Sequence, residues 1–398
     1  MRLYRLESHA SRHQRAIACF LVAVIGAGIL HQKILSAERK KVPLIQDPAP
    51  AGDTPDTAGP LATDVDARLD HRSLARAMKR VADWQLERLP AEPQTDWTFA
   101  ALYPGLLAVP KEVSGDKYKQ AVLKIGEQLE FHPGPLVLHA DDQAIGQSYL
   151  ELYLIHHDPA MLIPIRNRMD EEMKTPDNPS KPLWWWCDAL FMAPPVLSDL
   201  AAVTGDSKYI DFMDHEWSIT SGLLYDANQH LFSRDATFLD KHEKNGKKIF
   251  WSRGNGWVMG GLVRVIDRLP KNSPLRKKYI LQLQEMAAAV APLQGADGLW
   301  RPGLQDAGAY KLPEISGSMF ITYALAYGVN HGLLSRDVYE PIVRKAWAGA
   351  VSHIYADGRL GCIQPIGAAP GAFTETSSYT YGVGAFLLAG SEIYHGAH

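Results

Sequence analysis

The sequence predicts an all-α protein, specifically an (α/α)6 barrel in which six helical hairpins close into a ring. From about residue 65 onward, apolar residues follow the three- and four-residue spacing of amphipathic helices, and alternating strand-like runs are scarce. Helix openings also recur: Tyr279 and Tyr339 occupy equivalent positions in a repeated unit of about 50–60 residues. About six such two-helix units fit into the chain after residue 64.

Small residues in the predicted inner helices favour a closed ring over an open stack of hairpins. Gly254 and Gly256 lie at the start of one such helix, and glycine and alanine recur over residues 382–390. Glycine lets helix backbones approach closely, as the narrow centre of a ring requires. The alternative is an open helical solenoid that binds other proteins.

The first 37 residues have the pattern of a secretory signal peptide. Four arginines in residues 1–15 precede an apolar run over residues 16–30, and the small pair Ser36-Ala37 follows. Because this run is shorter than the roughly 20 residues of a typical membrane-spanning helix, cleavage is favoured over an uncleaved anchor. A buried core helix is a further alternative. The pattern predicts an exported protein, either periplasmic or anchored in the membrane and facing the periplasm.

Residues 38–64 are predicted to form a flexible linker, because they are rich in proline, glycine, aspartate and threonine. Residues 65–398 then form one (α/α)6 domain, which carries the candidate catalytic residues. Of the three cysteines, Cys187 and Cys362 lie in this domain, and they either pair or remain free.

Composition and motifs exclude several classes of function. The 398 residues include 41 basic and 44 acidic ones, giving a formal charge of −3 without the basic excess of nucleic-acid-binding proteins. Neither a CxxC nor an HExxH motif occurs, and GxGxxG, Walker and GxSxG motifs are absent as well. The sequence therefore predicts no metal, no cofactor and no nucleic-acid partner.

Three junctions between a loop and a predicted helix carry residues that a plain scaffold does not require. The first is His139, followed by Asp141 and Asp142 ahead of the predicted helix over residues 143–157. Acidic residues at this position either cap the helix and favour its dipole, or take part in chemistry.

The second junction places three consecutive indoles, Trp184 to Trp186, next to Asp188. Aromatic rings are typical platforms for sugar rings, and they also exclude water from a neighbouring carboxyl group. Exclusion of water raises the pKa of an aspartic acid, as a general acid near neutral pH requires. The alternative is an N-cap aspartate beside a packed aromatic core.

The third junction runs from Trp251 to Trp257, with Arg253 and Asn255 on a glycine-rich turn between the two indoles. An arginine in aromatic, water-poor surroundings is suited to holding a carboxylate through two parallel hydrogen bonds. A structural ion pair is the alternative interpretation of this arginine.

Taken together, these motifs resemble the unsaturated glucuronyl/rhamnogalacturonyl hydrolases, glycoside hydrolase family 105, over about residues 70–395. The resemblance implies an (α/α)6 barrel, in agreement with the hairpin count. It rests on five ordered segments, namely the region of Asp141 and residues 186–192, 250–257, 314–318 and 384–389.

The resemblance also implies a reaction on the products of polysaccharide lyases. Family members remove a 4,5-unsaturated uronic acid from the non-reducing end of such oligosaccharides by hydrating the C4–C5 double bond. Asp188 corresponds to the residue that protonates C4, and Asp141 to a second carboxylate that assists it. The substrate contacts that the resemblance implies are Trp186, Arg253 and Trp257, and proximity adds His139 and Asn255. Trp251 is also predicted to bind substrate.

One position departs from the family pattern, because Arg234 stands where classical members carry a histidine. We expect Arg234 to bind substrate and to change either the sugar accepted next to the uronate or the grip on the uronate carboxylate. A conventional inverting glycosidase on the same barrel and a non-catalytic carbohydrate-binding ring are the alternative functions.

Overall fold

A computed structural model describes residues 51–397 of the chain. The predicted signal peptide, residues 1–37, lies outside the described residues, as does the predicted linker up to residue 50. Among the residues that the structure describes, no helix is both long and apolar enough to cross a membrane.

Six helices form the outer layer, each with one apolar face turned inward. Helix α1 is typical: the Asp70 side chain caps it by accepting from Ser73 N at 2.9 Å, and Leu74, Met78 and Val81 are buried on one side. The outer helices are α1 (His71–Leu86), α3 (Lys117–Gln128), α5 (Pro159–Glu172), α7 (Lys208–Leu224), α9 (Pro274–Val290) and α11 (Arg336–Val351).

The inner layer contains six helices that alternate with these along the chain. Most are buried around much of their circumference; in α10, every residue from Ile315 to Val329 is buried. A helix that is apolar all round belongs in the interior of a protein. The inner helices are α2 (Leu102–Ala108), α4 (Gly146–His156), α6 (Pro194–Thr204), α8 (Ser252–Arg268), α10 (Ile315–Asn330) and α12 (Thr380–Gly396).

The inner helices form a closed ring. Each packs on the next inner helix in chain order, from α2 through α12, and α12 packs back on α2. Each inner helix also packs on an outer one, so that six helical hairpins surround a common centre. The predicted (α/α)6 barrel is confirmed.

Glycine is required where inner helices meet most closely, as the sequence suggested. A Cβ at Gly317 of α10 would lie 2.6 Å from the carbonyl carbon of Ser252 in α8, and a Cβ at Gly105 of α2 would lie 2.5 Å from Gly384 O in α12. Neither position can accommodate a side chain, because the atoms that a Cβ would meet belong to the backbone and cannot rotate away.

Short elements connect the helices at the two ends of the ring. Two short antiparallel strand pairs occur in the described part, β1 (Gly52–Asp53) with β4 (Ser378–Tyr379), and β2 (Tyr225–Asp226) with β3 (Leu231–Phe232). The remaining short helical turns are Trp97–Ala100, Lys111–Ser114, Ala140–Gln143, Ala189–Met192, Ala236–Phe238, Ala291–Leu293 and Ala307–Ala309.

The folded domain begins earlier than the sequence predicts. Thr380 N donates to Ala51 O at 2.9 Å next to the β1–β4 pair, and Ala62 N donates to Ile354 O at 2.8 Å. The predicted linker over residues 38–64 is therefore too long at its C-terminal end. Its proline-rich composition prevents a helix but leaves backbone groups free to pair with the barrel.

Candidate active site

A pocket of about 130 Å³ brings together residues from all three junctions that the sequence singles out. Helix α8 contributes Arg253 and Trp257, and the segments that precede the inner helices α2, α4, α6, α8 and α12 contribute the other lining residues. The predicted residues that line it are Asp141, Trp186, Asp188, Arg234, Trp251, Arg253 and Trp257.

Asp188 lies at the start of the turn Ala189–Met192, with its side chain only 12% exposed. Burial raises the pKa of Asp188, and the positive charges of Arg234 and Arg253 oppose this shift. The Nε of Arg234 lies 3.4 Å from Asp188 Oδ2. Asp188 is therefore a carboxyl group that retains its proton to higher pH than an exposed aspartate.

Arg234 is held in place by a second acid. Its Nη1 donates to Asp235 Oδ2 at 2.7 Å, and its guanidinium carbon lies 5.2 Å from the ring centre of Trp185. Burial favours the neutral form of Asp235, but hydrogen bonds from Thr237 and Arg234 outweigh it and lower the pKa of this carboxyl. Asp235 is thus a fixed anion that orients Arg234 towards Asp188.

The backbone fixes this arrangement. Cys187 N donates to Arg234 O at 2.8 Å, and Trp186 forms a β-bridge with Asp235. The segment that carries Asp188 and the segment that carries Arg234 are therefore paired directly, although they are distant in sequence.

Asp141 lies in the short helix Ala140–Gln143, and its side chain is 22% exposed. Burial raises the pKa of Asp141 to about 7; the neighbouring His139 lowers it, while Asp188 raises it further. The pocket thus contains two carboxyl groups with raised pKa values, each of which disfavours ionisation of the other.

His139 borders this pair without lining the pocket. Its Nδ1 contacts Asp142 Oδ2 at 3.1 Å and lies 4.0 Å from Asp141 Oδ2, and its ring stacks on Trp186 at 5.1 Å between centres. The hydrogen bond with Asp142 is the main cause of a raised pKa of His139. The geometry makes His139 a neighbour that orients Trp186 and influences Asp141.

Arg253 donates to backbone carbonyls at the pocket wall. Its Nη2 donates to Pro365 O at 2.8 Å, and its Nη1 donates to Gln364 O. The guanidinium lies between the rings of Trp251 and Tyr381, at 4.3 and 4.8 Å from their centres. No carboxylate within the described part of the chain lies at ion-pair distance from Arg253, and its side chain is only 1% exposed. Its positive charge therefore acts on the pocket through space, as its effect on the pKa of Asp188 indicates.

Asn255 does not line the pocket, and the expectation that it binds substrate is corrected here. Its Oδ1 accepts from Phe232 N at 2.8 Å, and its Nδ2 donates to Phe232 O and Trp251 O, both at 3.0 Å. The side chain is fully buried and holds β3 against the start of α8. Asn255 was predicted to contact substrate because it lies close to Arg253 in sequence, but each hydrogen bond of its side chain is formed with a backbone group.

Several lining residues escaped the sequence analysis. Trp97, Met192, Ile366 and Gly367 border the pocket, and Gln364 accepts from Trp251 Nε1 at 3.0 Å. Trp97 belongs to none of the three motifs. The loop of residues 364–367 precedes the last inner helix, and it reaches the pocket only because the ring is closed. The question about the cysteines is settled, since Cys187 and Cys362 are both buried and free.

Comparison with known proteins establishes the family of the chain. The profile of Glycosyl Hydrolase Family 88 matches residues 70–396. The chain belongs to this family. An Unsaturated 3S-rhamnoglycuronyl hydrolase of Formosa agariphila is 40% identical over 345 residues, which cover 82% of this chain and 91% of the relative. The chain is accordingly a glycoside hydrolase.

Solved structures show the same barrel in this family. A glycosyl hydrolase family 88 protein from Bacteroides vulgatus superposes with a TM-score of 0.76 at 30% identity, covering 82% of this chain and 99% of that one. A family 105 glycoside hydrolase from C. acetobutylicum has a TM-score of 0.65 at 22% identity, covering 80% and 98%. The second likeness supports the fold alone. The family profile, the Formosa relative and the Bacteroides structure confirm the resemblance found in the sequence.

Proposed function

We propose that this glycoside hydrolase removes a 4,5-unsaturated uronic acid from the non-reducing end of lyase-generated oligosaccharides. The observation that carries the proposal is a small pocket that combines two carboxyl groups of raised pKa with two arginines and an aromatic wall. Protonation of a carbon–carbon double bond requires an acid that is still protonated near neutral pH. An anionic sugar additionally requires positive charge nearby.

Asp188 is the proton donor in this proposal. Its carboxyl group transfers a proton to C4, and the positive charge that develops at C5 is shared with the ring oxygen. Water then adds to C5 and releases a proton to a neighbouring carboxylate. The resulting hemiketal opens to a C5 ketone, and the C1 hemiacetal thus formed expels the remaining sugar as an alcohol.

Asp141 assists through its charge and position. Because each carboxyl disfavours ionisation of the other, the pair retains one proton more readily than two isolated acids. After Asp188 has given up its proton, either carboxylate of the pair can take the proton from the attacking water. The two groups therefore cooperate in a single acid–base cycle.

The uronate carboxylate is held by the cationic side of the pocket. Arg253 has no ion-pair partner among the described residues, whereas Arg234 is shared between Asp188 and Asp235. We therefore assign the principal electrostatic attraction to Arg253, and to Arg234 a contact that is sensitive to the charge of Asp188.

The neighbouring sugar in this proposal is rhamnose carrying a 3-sulfate. The support is the 40% identity to a relative whose name specifies a 3S-rhamnoglycuronyl substrate. Arg234 at the histidine position agrees with a specificity that differs from that for rhamnogalacturonan. We also propose that the enzyme acts outside the cytoplasm, because residues 1–37 have a secretory pattern.

The test follows the near-ultraviolet absorbance of the conjugated double bond during incubation with lyase-digested polysaccharides. We expect this absorbance to disappear, fastest with a sulfated rhamnose-containing digest. Asp188→Asn should reduce the rate about 10²–10⁴-fold, because the amide cannot donate the proton. Asp211→Asn, on the outer helix α7, is the matched control and should leave the rate unchanged. Persistent absorbance with release from saturated glycosides would instead indicate a conventional inverting glycosidase.

A further inference from the structure

A second cluster of ligand-type side chains lies outside the catalytic pocket. One oxygen or nitrogen atom each of Asp177, His215 and Glu216 lies within 4.8 Å of the other two. Asp177 belongs to the loop after α5, while His215 and Glu216 are consecutive in α7. Because the loop and the helix are separate in sequence, motif spacing could not reveal this cluster.

The cluster includes a buried carboxyl group that is incompletely hydrogen-bonded. Glu216 is only 4% exposed, and its Oε2 has no hydrogen-bond partner among the described residues. Both carboxylate oxygens of the nearby Glu172 are also buried and lack a hydrogen bond of good geometry, although Gln143 and Arg168 favour its ionised form. Burial raises the pKa of Glu172 to about 7, and the charge of Glu216 adds to this shift. Unpaired buried carboxylates are costly unless a cation or a proton compensates them.

The other two members are open to solvent and already close together. His215 Nε2 lies 3.1 Å from Asp177 Oδ2, and both side chains are about half exposed. An ion can therefore reach the cluster, and water can complete its coordination. Ligand atoms around tetrahedral zinc lie about 3.3 Å apart, so small side-chain rotations would suffice.

We propose that Asp177, His215 and Glu216 form a binding site for a zinc ion that fastens the loop of residues 173–183 to helix α7. One imidazole with two carboxylates favours zinc over calcium or magnesium, which prefer oxygen ligands alone. The metal is structural in this proposal and takes no part in the hydration of the substrate.

The position of the site gives the metal a consequence for the catalytic wall. Within the described part of the chain, the pair His215–Asp177 is the polar contact that joins residues 175–182 to another helix. The other hydrogen bonds of residues 175–182 are formed with neighbouring residues in sequence. One cavity is lined by residues of this loop together with Glu216 of the cluster and Trp185 of the aromatic segment. Trp185 in turn contacts Trp186 at 4.7 Å between ring centres. Zinc would therefore order the segment that supports the indoles.

The first experiment measures metal content. Untagged protein is incubated with zinc chloride, dialysed, and analysed by mass spectrometry for metals and by thermal unfolding. We expect about one zinc per chain and a Tm increase of roughly 3 °C at a hundredfold excess over Kd. Asp177→Asn combined with His215→Ala should abolish both. Retention of zinc by this double variant, or no retention by the wild type, would overturn the proposal.

Two controls separate this site from unspecific binding. His230→Ala removes another half-exposed histidine, whose Nδ1 lies 3.5 Å from Glu285 Oε2, but which lacks a third ligand. This variant should retain zinc as the wild type does. Calcium chloride should produce no increase in Tm, and an increase with calcium but not zinc would contradict the role of the imidazole.

Limited proteolysis tests the effect on the loop. Lys174 is exposed at the end of α5, and trypsin should cleave after it less rapidly when zinc is bound. We expect a several-fold slower cleavage with zinc in the wild type and no such change in the double variant. Equal rates with and without zinc in the wild type would show that the loop is not fastened.

Discussion

A small number of side chains set the pKa of Asp188, and the proposed chemistry of the pocket depends on this pKa. Burial raises the pKa of this carboxyl group, whereas the positive charges of Arg234 and Arg253 lower it and so limit the shift. Asp235 and Thr237 keep Arg234 in position from the other side. The acid is therefore tuned by a charged pair that is itself anchored to the backbone.

Removing the charge of Arg234 should change the pH dependence of catalysis. In Arg234→Ala the pKa of Asp188 rises further, so the alkaline limb of kcat moves to higher pH. We also expect kcat/KM to fall about 10- to 100-fold, the equivalent of one charge-assisted hydrogen bond. The measurement is a pH–rate profile. Arg234→Lys retains the charge, and its alkaline limb should stay near that of the wild type. An unshifted limb in Arg234→Ala would exclude electrostatic control by this residue.

At this scale the sequence identified the catalytic candidates but not all of their roles. Asp141, Asp188, Arg253 and the indoles were identifiable because each stands in a local motif of unusual composition. The role of Asn255 was not, since its partners Phe232 O and Phe232 N are backbone groups of a distant strand. Side chains that bind backbone leave no compositional signature.

Among the secondary-structure elements, the β2–β3 hairpin is held to α8 by one side chain. Asn255→Ala removes three hydrogen bonds and leaves Phe232 N buried without an acceptor. We expect a loss of about 2–4 kcal/mol in the free energy of unfolding, measured by chemical denaturation. Asn245→Ala in the exposed loop of residues 241–247 is the control and should cost less. A cost in Asn255→Ala no greater than in the control would contradict the anchoring role.

The close contact between α8 and α10 limits the size of the residue at position 317. Gly317→Ala would bring a Cβ to 2.6–2.8 Å from backbone atoms of Ser252 and Arg253, so the helices must separate. We expect a loss of more than about 2 kcal/mol in unfolding free energy, measured by thermal and chemical denaturation.

Gly222→Ala provides the matched control for this helix contact. Gly222 lies in the outer helix α7, and a Cβ there meets no atom within 4 Å. Because alanine favours a helix more than glycine, this variant should be unchanged or about 0.5–1 kcal/mol more stable. Equal effects of the two substitutions would show that the close approach of α8 and α10 does not limit residue size.

For the whole molecule, the ring was predictable because helical periodicity and a repeated unit are local properties of sequence. The residue at which the folded domain begins was not predictable in this way. Residues 51–62 read as a linker by composition, yet they pair with β4 and with the segment around Ile354. Both partners lie near the C-terminal end of the chain, and pairings over such distances follow from ring closure, which composition does not encode.

This correction leads to a test of how the ring is closed. A chain that starts at residue 64 lacks β1 and exposes the edge of β4 next to the start of α12, whereas a chain that starts at residue 51 retains both. Because α12 packs on α2 to close the ring, loosening its N-terminal end should weaken the closure. We expect the shorter chain to have a lower Tm and faster amide exchange in the first turn of α12. Identical Tm values and exchange rates for the two chains would restore the interpretation of residues 51–63 as a linker.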